Sequence, residues 1–381
     1  MTTTKFTERK TVPFRYDTVG SFLRPQRLKA ARKKFQADEL TLEELKLIED
    51  ELIIELIHKQ EEAGLKSVTD GEFRRSWWHL DFFWGLNGVR FKEASHGYRF
   101  AAEETRAETA TLTGKISGRN HPFVEHFQFV QKHASNEVEA RQTIPAPAQF
   151  YKELIRPENK EEVAAVYETK ELLIEAIIKA YKEVISELYD SGCRSLQLDD
   201  CTWGMLVGGL PEGVILDGQS EDETRTQLKE ELLNINNQVI SGLPSDLVVT
   251  THVCRGNYHS TWSAEGGYEK VADPLFNREN VSAYYLEYDS ERSGGFAPLR
   301  NVSEEKLVVL GLITSKSGKL EDRQAVIDRI YEASNYIPLD RLALSPQCGF
   351  ASTEEGNVLT EEEQWAKIAF IRSIAEEVWS C

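Results

Sequence analysis

The sequence predicts an α/β protein folded as a single elaborated (β/α)8 TIM barrel. Eight short runs rich in β-branched and apolar residues occur along the 381-residue chain, and helical patterns lie between most of them. Alternation of strand and helix is typical of a parallel sheet, and eight repeats are typical of a closed barrel. No low-complexity linker or repeat of fixed period divides the chain. One domain over residues 1–381 is therefore favoured, with a doubly wound open sheet as the main alternative.

The predicted strands are short runs of apolar or β-branched residues. In chain order they are Tyr16–Phe22, Lys66–Phe73, Arg141–Phe150, Arg194–Cys201, Leu247–Cys254, Ala283–Asp289, Leu307–Ile313 and Leu342–Cys348. In a barrel, the carboxyl ends of all the strands meet at one face, which is where barrel enzymes carry their catalytic groups. Unusual polar residues at these ends therefore indicate a functional site.

Four amphipathic segments between the strands predict helices. Their apolar residues recur at spacings of three and four, which places those residues on one helix face. The segments are Thr41–Gly64, Lys170–Gly192, Glu223–Gly242 and Glu321–Ile337. Residues from about 86 to 135 instead mix glycine, threonine and charged residues without a helical period. That stretch predicts an inserted hairpin or excursion between the second and third strands.

The composition describes an acidic globular protein with a formal net charge of −18. Phosphate contacts need a basic face, so a nucleic-acid partner is not expected. No window approaches the roughly 20 apolar residues of a membrane span, and the N-terminus lacks an apolar signal segment. We therefore expect no membrane partner and a cytoplasmic location. The five cysteines are odd in number and scattered, which favours free thiols over a disulfide framework.

A candidate metal site begins at His252 and Cys254. Residues two apart on a strand point to the same face, so this imidazole and this thiol can converge. Glu287 lies near the end of the next strand, and Cys348 follows the last strand in a turn with Pro and Gly neighbours. Two thiolates, one imidazole and one carboxylate are ligands that zinc prefers, so the sequence predicts a zinc site. The alternative carboxylates on the same segment are Asp289 and Glu291.

Other residues at or near strand ends are small or polar. They are Gly20 and Ser21, Asp70 and Glu72, Pro145, Asp199 and Asp200, and Lys316. Cys193 and Cys201 flank the fourth strand and are expected to pack in the interior, and Cys381 at the terminus is expected to be incidental. The aromatic run at residues 76–85 could line a pocket for a flat cofactor, although helix packing is the commoner role of such a run.

Six patches in order resemble the catalytic half of the cobalamin-independent methionine synthases. They are TVGSF, TDGEF, LQLDD, THVC, LEYDSERSG and SPQCG, and they extend from about Tyr16 to Gly349. The resemblance implies a (β/α)8 barrel that binds zinc and transfers a methyl group from a folate to the sulfur of homocysteine, forming methionine. The zinc ligands that it implies are His252, Cys254, Glu287 and Cys348.

The resemblance also implies a substrate site. It places the contacts to the homocysteine carboxylate at Gly20 and Ser21, and the contacts to the amino group at Glu72 and Asp199. These residue types suit an amino acid, because a Gly-Ser turn offers backbone and hydroxyl donors and an ammonium group needs carboxylates. Zinc suits the thiol, because a free thiol with a pKa of about 8.5 is mostly protonated at neutral pH, whereas a zinc-bound thiol is deprotonated.

Two departures from the family leave the methyl donor open. Full-length members carry an N-terminal barrel that helps to hold the folate, whereas this sequence begins at the catalytic barrel. The family's histidine acid after strand seven is replaced by Lys316, which we expect to lie away from the zinc ligands and to protonate or contact the donor. Phe150 or Tyr151 stands near the position of the family's pterin-stacking tryptophan. The donor is therefore either a folate such as methyltetrahydrofolate or a methylated corrinoid on a partner protein.

The function predicted from the sequence is that of a zinc-dependent methyltransferase acting on homocysteine or a similar small thiol. The alternative is a zinc hydrolase or lyase on the same barrel, because a fold does not determine a function. A hydrolase would need an open zinc position with bound water and a nearby general base. A structural zinc protein or a methyl-carrier module is less favoured, since the ligands are spread over residues 247–348 rather than grouped in close pairs.

Overall fold

Ten β-strands are present in the part of the chain that the computed structural model describes, residues 6–210 and 214–380. Their bounds are Ser67–Val68 (β1), Asn87–Glu93 (β2), Glu108–Ser117 (β3), Glu139–Ala140 (β4), Gln142–Pro145 (β5), Ser195–Asp200 (β6), Val248–Val253 (β7), Ala283–Glu287 (β8), Leu307–Ile313 (β9) and Leu342–Pro346 (β10). Strands β5 to β10 form one parallel sheet, in the order β10-β9-β8-β7-β6-β5. This order follows the chain without a reversal, so the doubly wound alternative, which requires one, is excluded.

The two ends of this sheet are extended by the first two predicted strands, but only over a few residues. At one end, Tyr16 pairs in parallel with Leu344 of β10. At the other end, β1 pairs in parallel with β4, which directly precedes β5. The strands predicted at Tyr16–Phe22 and Lys66–Phe73 are therefore wrong in extent. Glycines with positive φ turn the backbone out of the extended conformation, at Gly20 (φ 134°) and Gly71 (φ 64°).

Eleven α-helices lie in the described residues, most of them between the strands. Their bounds are Gln26–Gln36 (α1), Leu42–Glu62 (α2), Leu80–Gly85 (α3), Pro122–His133 (α4), Pro147–Leu154 (α5), Lys160–Val166 (α6), Lys170–Asp190 (α7), Thr202–Val207 (α8), Glu221–Ile240 (α9), Arg323–Ala333 (α10) and Glu361–Trp379 (α11). All four predicted helices are present, as α2, α7, α9 and α10. Helix α2 begins at a capping box, in which Thr41 and Glu44 satisfy each other's backbone N–H groups.

The third predicted strand is wrong in its second half. Strand β5 ends at Pro145, and helix α5 begins only two residues later, at Pro147. Proline is favoured in the first turn of a helix, because it has no N–H group to leave unpaired there. The early start of α5 matters for the site, because it brings Tyr151 and Lys152 to the wall of the cavity described below.

The predicted excursion contains the expected hairpin together with a helix that was not expected. Strands β2 and β3 form an antiparallel pair outside the parallel sheet. Helix α4 follows them, so the absence of helical period inferred for residues 86–135 is wrong at its C-terminal end. Its buried residues Phe123, Phe127 and Val130 follow the spacing of one helix face, and the His121 side chain accepts a hydrogen bond from the N–H of Phe123 at the helix start.

The burial of the sheet residues follows from the parallel arrangement of the strands. Every residue of β6, β8 and β10 is buried, as expected for parallel strands that are covered on both faces. Among residues 6–210 and 214–380, no helix combines the length and the apolar character needed to cross a bilayer. The carboxyl ends of β5 to β10 lie at one edge of the parallel sheet, where Asp199, His252 and Glu287 are located.

Candidate metal and substrate site

Four potential metal ligands converge at the carboxyl edge of the sheet. The ligand atoms of His252, Cys254, Glu287 and Cys348 lie within 4.8 Å of one another, and all four residues are buried. His252 is on β7, Cys254 follows it directly, Glu287 is the last residue of β8, and Cys348 comes two residues after β10. The structure therefore brings together the four residues that the sequence suggested as zinc ligands.

The orientation of His252 leaves one ring nitrogen free for a cation. Its Nδ1 atom lies 3.2 Å from the carbonyl oxygen of Tyr285, to which it can donate. Its Nε2 atom is buried and has no hydrogen-bond partner among the described residues. Metal-bound histidines commonly make this second hydrogen bond, because it fixes the tautomer and the ring orientation. The Sγ atoms of Cys254 and Cys348 are 3.8 Å apart. An orphaned imidazole nitrogen beside two thiols fits a zinc ion.

The carboxylate of this cluster is Glu287 rather than either alternative. Its Oε1 atom accepts from the backbone N–H of Arg255 at 2.7 Å, and its Oε2 atom accepts from Arg292 at 2.8 Å. Asp289 binds Arg292 from outside the cluster, and Glu291 is exposed. Strand alternation explains the difference, because Glu287 is the last residue of β8 and the later acidic residues lie in the following turn.

The charges around the cluster prepare it for a cation. Burial raises the pKa of Glu287, but the nearby positive charges of Lys316 and Arg292 outweigh burial and lower it overall. Contact with Cys201 raises the pKa of the Cys254 thiol, and contact with Cys254 raises that of Cys348. Without a cation, the two thiols therefore keep their protons. Because metal ligands must be deprotonated, cation binding here would release protons.

A cavity of about 680 Å³ opens directly above the cluster. Its wall includes His252, Cys254 and Cys348, together with the predicted substrate residues Ser21, Glu72 and Asp199. Pockets for ligands of drug-like size have volumes of about 300–1,000 Å³. The cavity is thus large enough for an amino acid and a second, larger molecule at the same time.

Glu72 and Asp199 form a buried acidic pair in this wall. The Oε1 atom of Glu72 accepts from the Thr143 hydroxyl at 3.1 Å and lies 3.3 Å from Arg75, whereas its Oε2 atom has no partner among the described residues. The Oδ1 atom of Asp199 accepts from Gln197 at 2.9 Å. Burial raises the pKa of each carboxyl to about 7. Arg75 is the one cation that forms an ion pair with either carboxyl among the described residues, and an ammonium group in the cavity would supply a second.

Gly20 and Ser21 have different places in the site. Ser21 lines the cavity, and its Oγ atom accepts from the N–H of Ala351 at 3.3 Å. Gly20 is one residue further back, where a Cβ atom would lie 2.8 Å from the Thr143 side chain and φ is 134°. Gly20 therefore lets the chain pass close to Thr143 and positions Ser21, and it is not itself part of the described cavity wall.

Lys316 acts on the cluster through its charge, although no hydrogen bond or ion pair joins it to the four residues in the described part of the chain. Its Nζ atom donates to Asn257 at 3.2 Å, and Asn257 lines the cavity. Its charge is the strongest influence lowering the pKa of Glu287. Lys316 is not itself among the described residues of the cavity wall, but its partner Asn257 is.

Two features of the site were missed or only half predicted. Cys201, expected to pack in the interior, lines the cavity and contacts Cys254. Its position directly after β6 was the available signal, because strand ends converge in such a fold. The residues of the aromatic run have two locations. Phe82 and Phe83 are fully buried in the core, whereas Trp77, Trp78 and His79 line the cavity. The Nε2 atom of His79 lies 3.1 Å from the hydroxyl of Tyr98, which the inserted hairpin contributes.

Comparisons with known proteins agree with this site. The family described as "Cobalamin-independent synthase, Catalytic domain" matches residues 14–370. The uncharacterized protein YxjG of Bacillus subtilis is 45% identical, over 98% of this chain and 97% of its own length. A structure from Listeria monocytogenes, provisionally described as a vitamin-B12-independent methionine synthase, is 36% identical with a TM-score of 0.76 and covers 97% of this chain and 99% of its own.

A more distant relative carries an enzyme name. The 5-methyltetrahydropteroyltriglutamate–homocysteine methyltransferase of Bifidobacterium longum subsp. infantis is 22% identical over 95% of this chain, which corresponds to 42% of that enzyme. Three observations agree. They are the family match across residues 14–370, the near-complete coverage of the Bacillus and Listeria proteins, and the clustered His, Cys, Glu and Cys residues. The chain belongs to the cobalamin-independent methionine synthase family, in the form of its catalytic domain.

Proposed function

We propose that this protein transfers a methyl group from a methyltetrahydropteroylglutamate to the thiol of homocysteine, forming methionine, with zinc held by His252, Cys254, Glu287 and Cys348. The observation that carries the proposal is the convergence of these four buried ligand atoms beneath a large cavity. Family membership supports the reaction class. When bound, zinc would hold the acceptor sulfur as its thiolate, the nucleophilic form that a free thiol scarcely populates at neutral pH.

The residues of the chain would supply recognition of the acceptor. Glu72 and Asp199 face the cavity as a carboxylate pair suited to the ammonium group of an amino acid. Ser21 offers a hydroxyl for its carboxylate. These groups and the metal cluster line the same cavity, so one small amino acid could contact the acidic pair with its amino group and the cluster with its sulfur. Lys316 is the candidate to protonate N5 of the departing donor.

We also propose that the parallel sheet closes into the predicted (β/α)8 barrel, as a single domain. Two contacts join the opposite ends of the sheet, Arg141 to Asp17 and Phe22 to Gly71, and a third comes from the interior strand β8. Arg141, between β4 and β5, lies 3.2 Å from Asp17, and Tyr285 of β8 donates to the same carboxylate at 2.8 Å. The N–H of Phe22 also donates to the carbonyl of Gly71 at 3.1 Å. These contacts tie the segment beside β10 to the segment beside β5, which is what closure requires.

The competing functions have less support. A zinc hydrolase would need a general base beside an open metal position, but two thiolate ligands make zinc a poorer Lewis acid for activating water. A purely structural site would not need a cavity above it that is lined by an acidic pair. The pteroyltriglutamate named for the Bifidobacterium relative favours a folate donor, and the comparisons give the corrinoid alternative no support. We therefore retain the folate donor alone.

Homocysteine binding to the zinc-loaded protein is expected to weaken as the pH falls from about 8 to about 6. Burial raises the pKa of Glu72 and of Asp199 to about 7, so the pair is ionised above that pH and takes up protons below it. Protonated carboxyls no longer attract an ammonium group, and the linked affinity change is about tenfold per pH unit for each proton. Isothermal calorimetry measures it.

The control ligand is 4-mercaptobutanoate, which keeps the thiol and the carboxylate but lacks the amino group. Its binding should depend on pH only through thiol ionisation, and therefore less steeply than that of homocysteine. The variants Glu72→Gln and Asp199→Asn should each reduce the difference between the two ligands. Identical pH profiles for the two thiols, or no binding of either, would contradict the proposed acceptor.

A further inference from the structure

One side of the cavity extends away from the metal cluster towards the helices α5, α7, α8 and α9. We call this part the outer arm and define it by six lining residues: Tyr151, Lys152, Lys170, Met205, Leu228 and Glu231. Homocysteine needs only the part beside the cluster. The outer arm is therefore left for the larger substrate.

The outer arm carries more positive than negative charge, in a chain whose formal net charge is −18. Lys170 pairs with Glu231, and its Nζ atom lies 5.9 Å from the centre of the Tyr151 ring. The Lys152 side chain makes no hydrogen bond or ion pair with any residue in the described ranges, although it lies in the cavity wall. Burial lowers the pKa of Lys152, and Glu231 only partly opposes this effect. An anion beside Lys152 would stabilise its charge.

Apolar side chains surround these lysines at the opening of the cavity. Ile155 is 41% exposed, Met205 is 44% exposed and Leu216 is 36% exposed, and all three line the cavity. Apolar groups of this size are seldom left grouped at a surface unless a ligand or partner covers them. A flat, apolar ring that ends in carboxylates would match both the apolar mouth and the unpaired lysine.

We infer that the outer arm binds the aminobenzoyl-glutamate part of the methyl donor, with Lys152 pairing to a glutamate carboxylate. The inference rests on the proposed function, since it places the donor's reacting end at the cluster and its tail at the mouth. Tyr151, Met205 and Leu216 would contact the aminobenzoyl ring, and the Lys170–Glu231 pair would fix the side of the arm. The chain's own lysine would thus provide an anion contact for the tail within the catalytic domain.

The test is direct binding of two donors to the zinc-loaded protein, measured by calorimetry. The donors are 5-methyltetrahydropteroyltriglutamate and 5,6-dimethyltetrahydropterin, which has no aminobenzoyl-glutamate tail. Lys152→Gln is expected to weaken binding of the first donor about tenfold, because a hydrogen bond to a charged group is worth about that factor. Binding of the second should stay unchanged. Lys152→Arg keeps the charge and should retain most of the affinity, and Lys160→Gln, an exposed lysine outside the cavity wall, is the matched control.

A kinetic readout separates binding from a merely structural effect. Lys152→Gln should raise KM for the triglutamate donor about tenfold and leave kcat within about twofold. An equal loss with both donors would show general damage to the cavity and overturn the inference, as would unchanged triglutamate binding. The proposed function can be rejected independently. If the wild-type protein binds the triglutamate donor through Lys152 but makes no methionine, the binding role of the outer arm is supported and the proposed reaction is not. If the protein binds neither donor, both fail.

Discussion

Replacement of Cys254 or Cys348 by alanine is expected to remove the metal and abolish methyl transfer. Each thiol is one of four buried potential ligands whose ligand atoms lie within 4.8 Å of one another, and the remaining three would leave a zinc site incomplete. Loss of a group that only orients a ligand already costs about 10–100-fold in metal affinity, so loss of a ligand should cost at least as much. Metal analysis of the purified variants should show about one zinc per chain in the wild type and less than a tenth of that in either variant.

Cys193→Ala is the matched control for both variants. Cys193 is equally buried, but its Sγ atom contacts the carbonyl of Ser195 rather than the cluster. This variant should keep its zinc and its activity, even if its thermal stability falls. If Cys254→Ala and Cys348→Ala retained stoichiometric zinc, neither cysteine could be a ligand, and the proposed metal centre would have to be abandoned.

Replacement of Lys316 by alanine is expected to slow folate-dependent turnover by about 10² to 10⁴, the usual contribution of a general acid. In the proposed reaction the donor would leave through N5, which must gain a proton, and the resemblance places Lys316 near the position of the family's acid. The assay must be run at saturating zinc, because Lys316 also lowers the pKa of Glu287. Without this charge, Glu287 would hold a proton to a higher pH and compete less well for the metal. The kcat with methyltetrahydropteroylglutamate is the measured quantity.

Lys319→Ala is the control for this second variant, because Lys319 is exposed on the same loop. It should turn over at the wild-type rate. The proposed acid role of Lys316 would be wrong if the Lys316→Ala variant, saturated with zinc, had a kcat within about twofold of the wild type. A loss that disappeared entirely on adding zinc would assign Lys316 to support of Glu287 alone.

The group of four potential metal ligands could be predicted because each residue is marked by the local sequence pattern around it. His252 and Cys254 share one face by spacing alone, and Glu287 and Cys348 lie at the carboxyl ends of two other strands of the same parallel sheet. Once strands are parallel, their carboxyl ends must meet, so the sequence order of the strands already places the ligands together. The choice between Glu287 and Asp289 required the structure, because it depends on where strand β8 ends.

The first two strands and the place of Lys316 were not predictable in the same way. The segment after Tyr16 is apolar enough for a strand, yet Gly20 at φ 134° interrupts it so that Ser21 reaches the cavity. Lys316 belongs to a loop, and a loop has no periodicity from which the direction of a side chain could be read. Its contact with Asn257, 59 residues away in sequence, is a tertiary contact that no local pattern encodes.

The most direct measurement is transfer of a radiolabelled methyl group from 5-methyltetrahydropteroylglutamate to homocysteine by the purified protein, with and without zinc. We expect labelled methionine from the zinc-loaded protein, its loss when a chelator strips the metal, and its recovery when zinc is returned. Omission of homocysteine should abolish the labelled product, and no labelled methanol should form by transfer of the methyl group to water. If the label stayed wholly on the donor after incubation with folded, zinc-loaded protein and homocysteine, the proposed methyl transfer would be wrong.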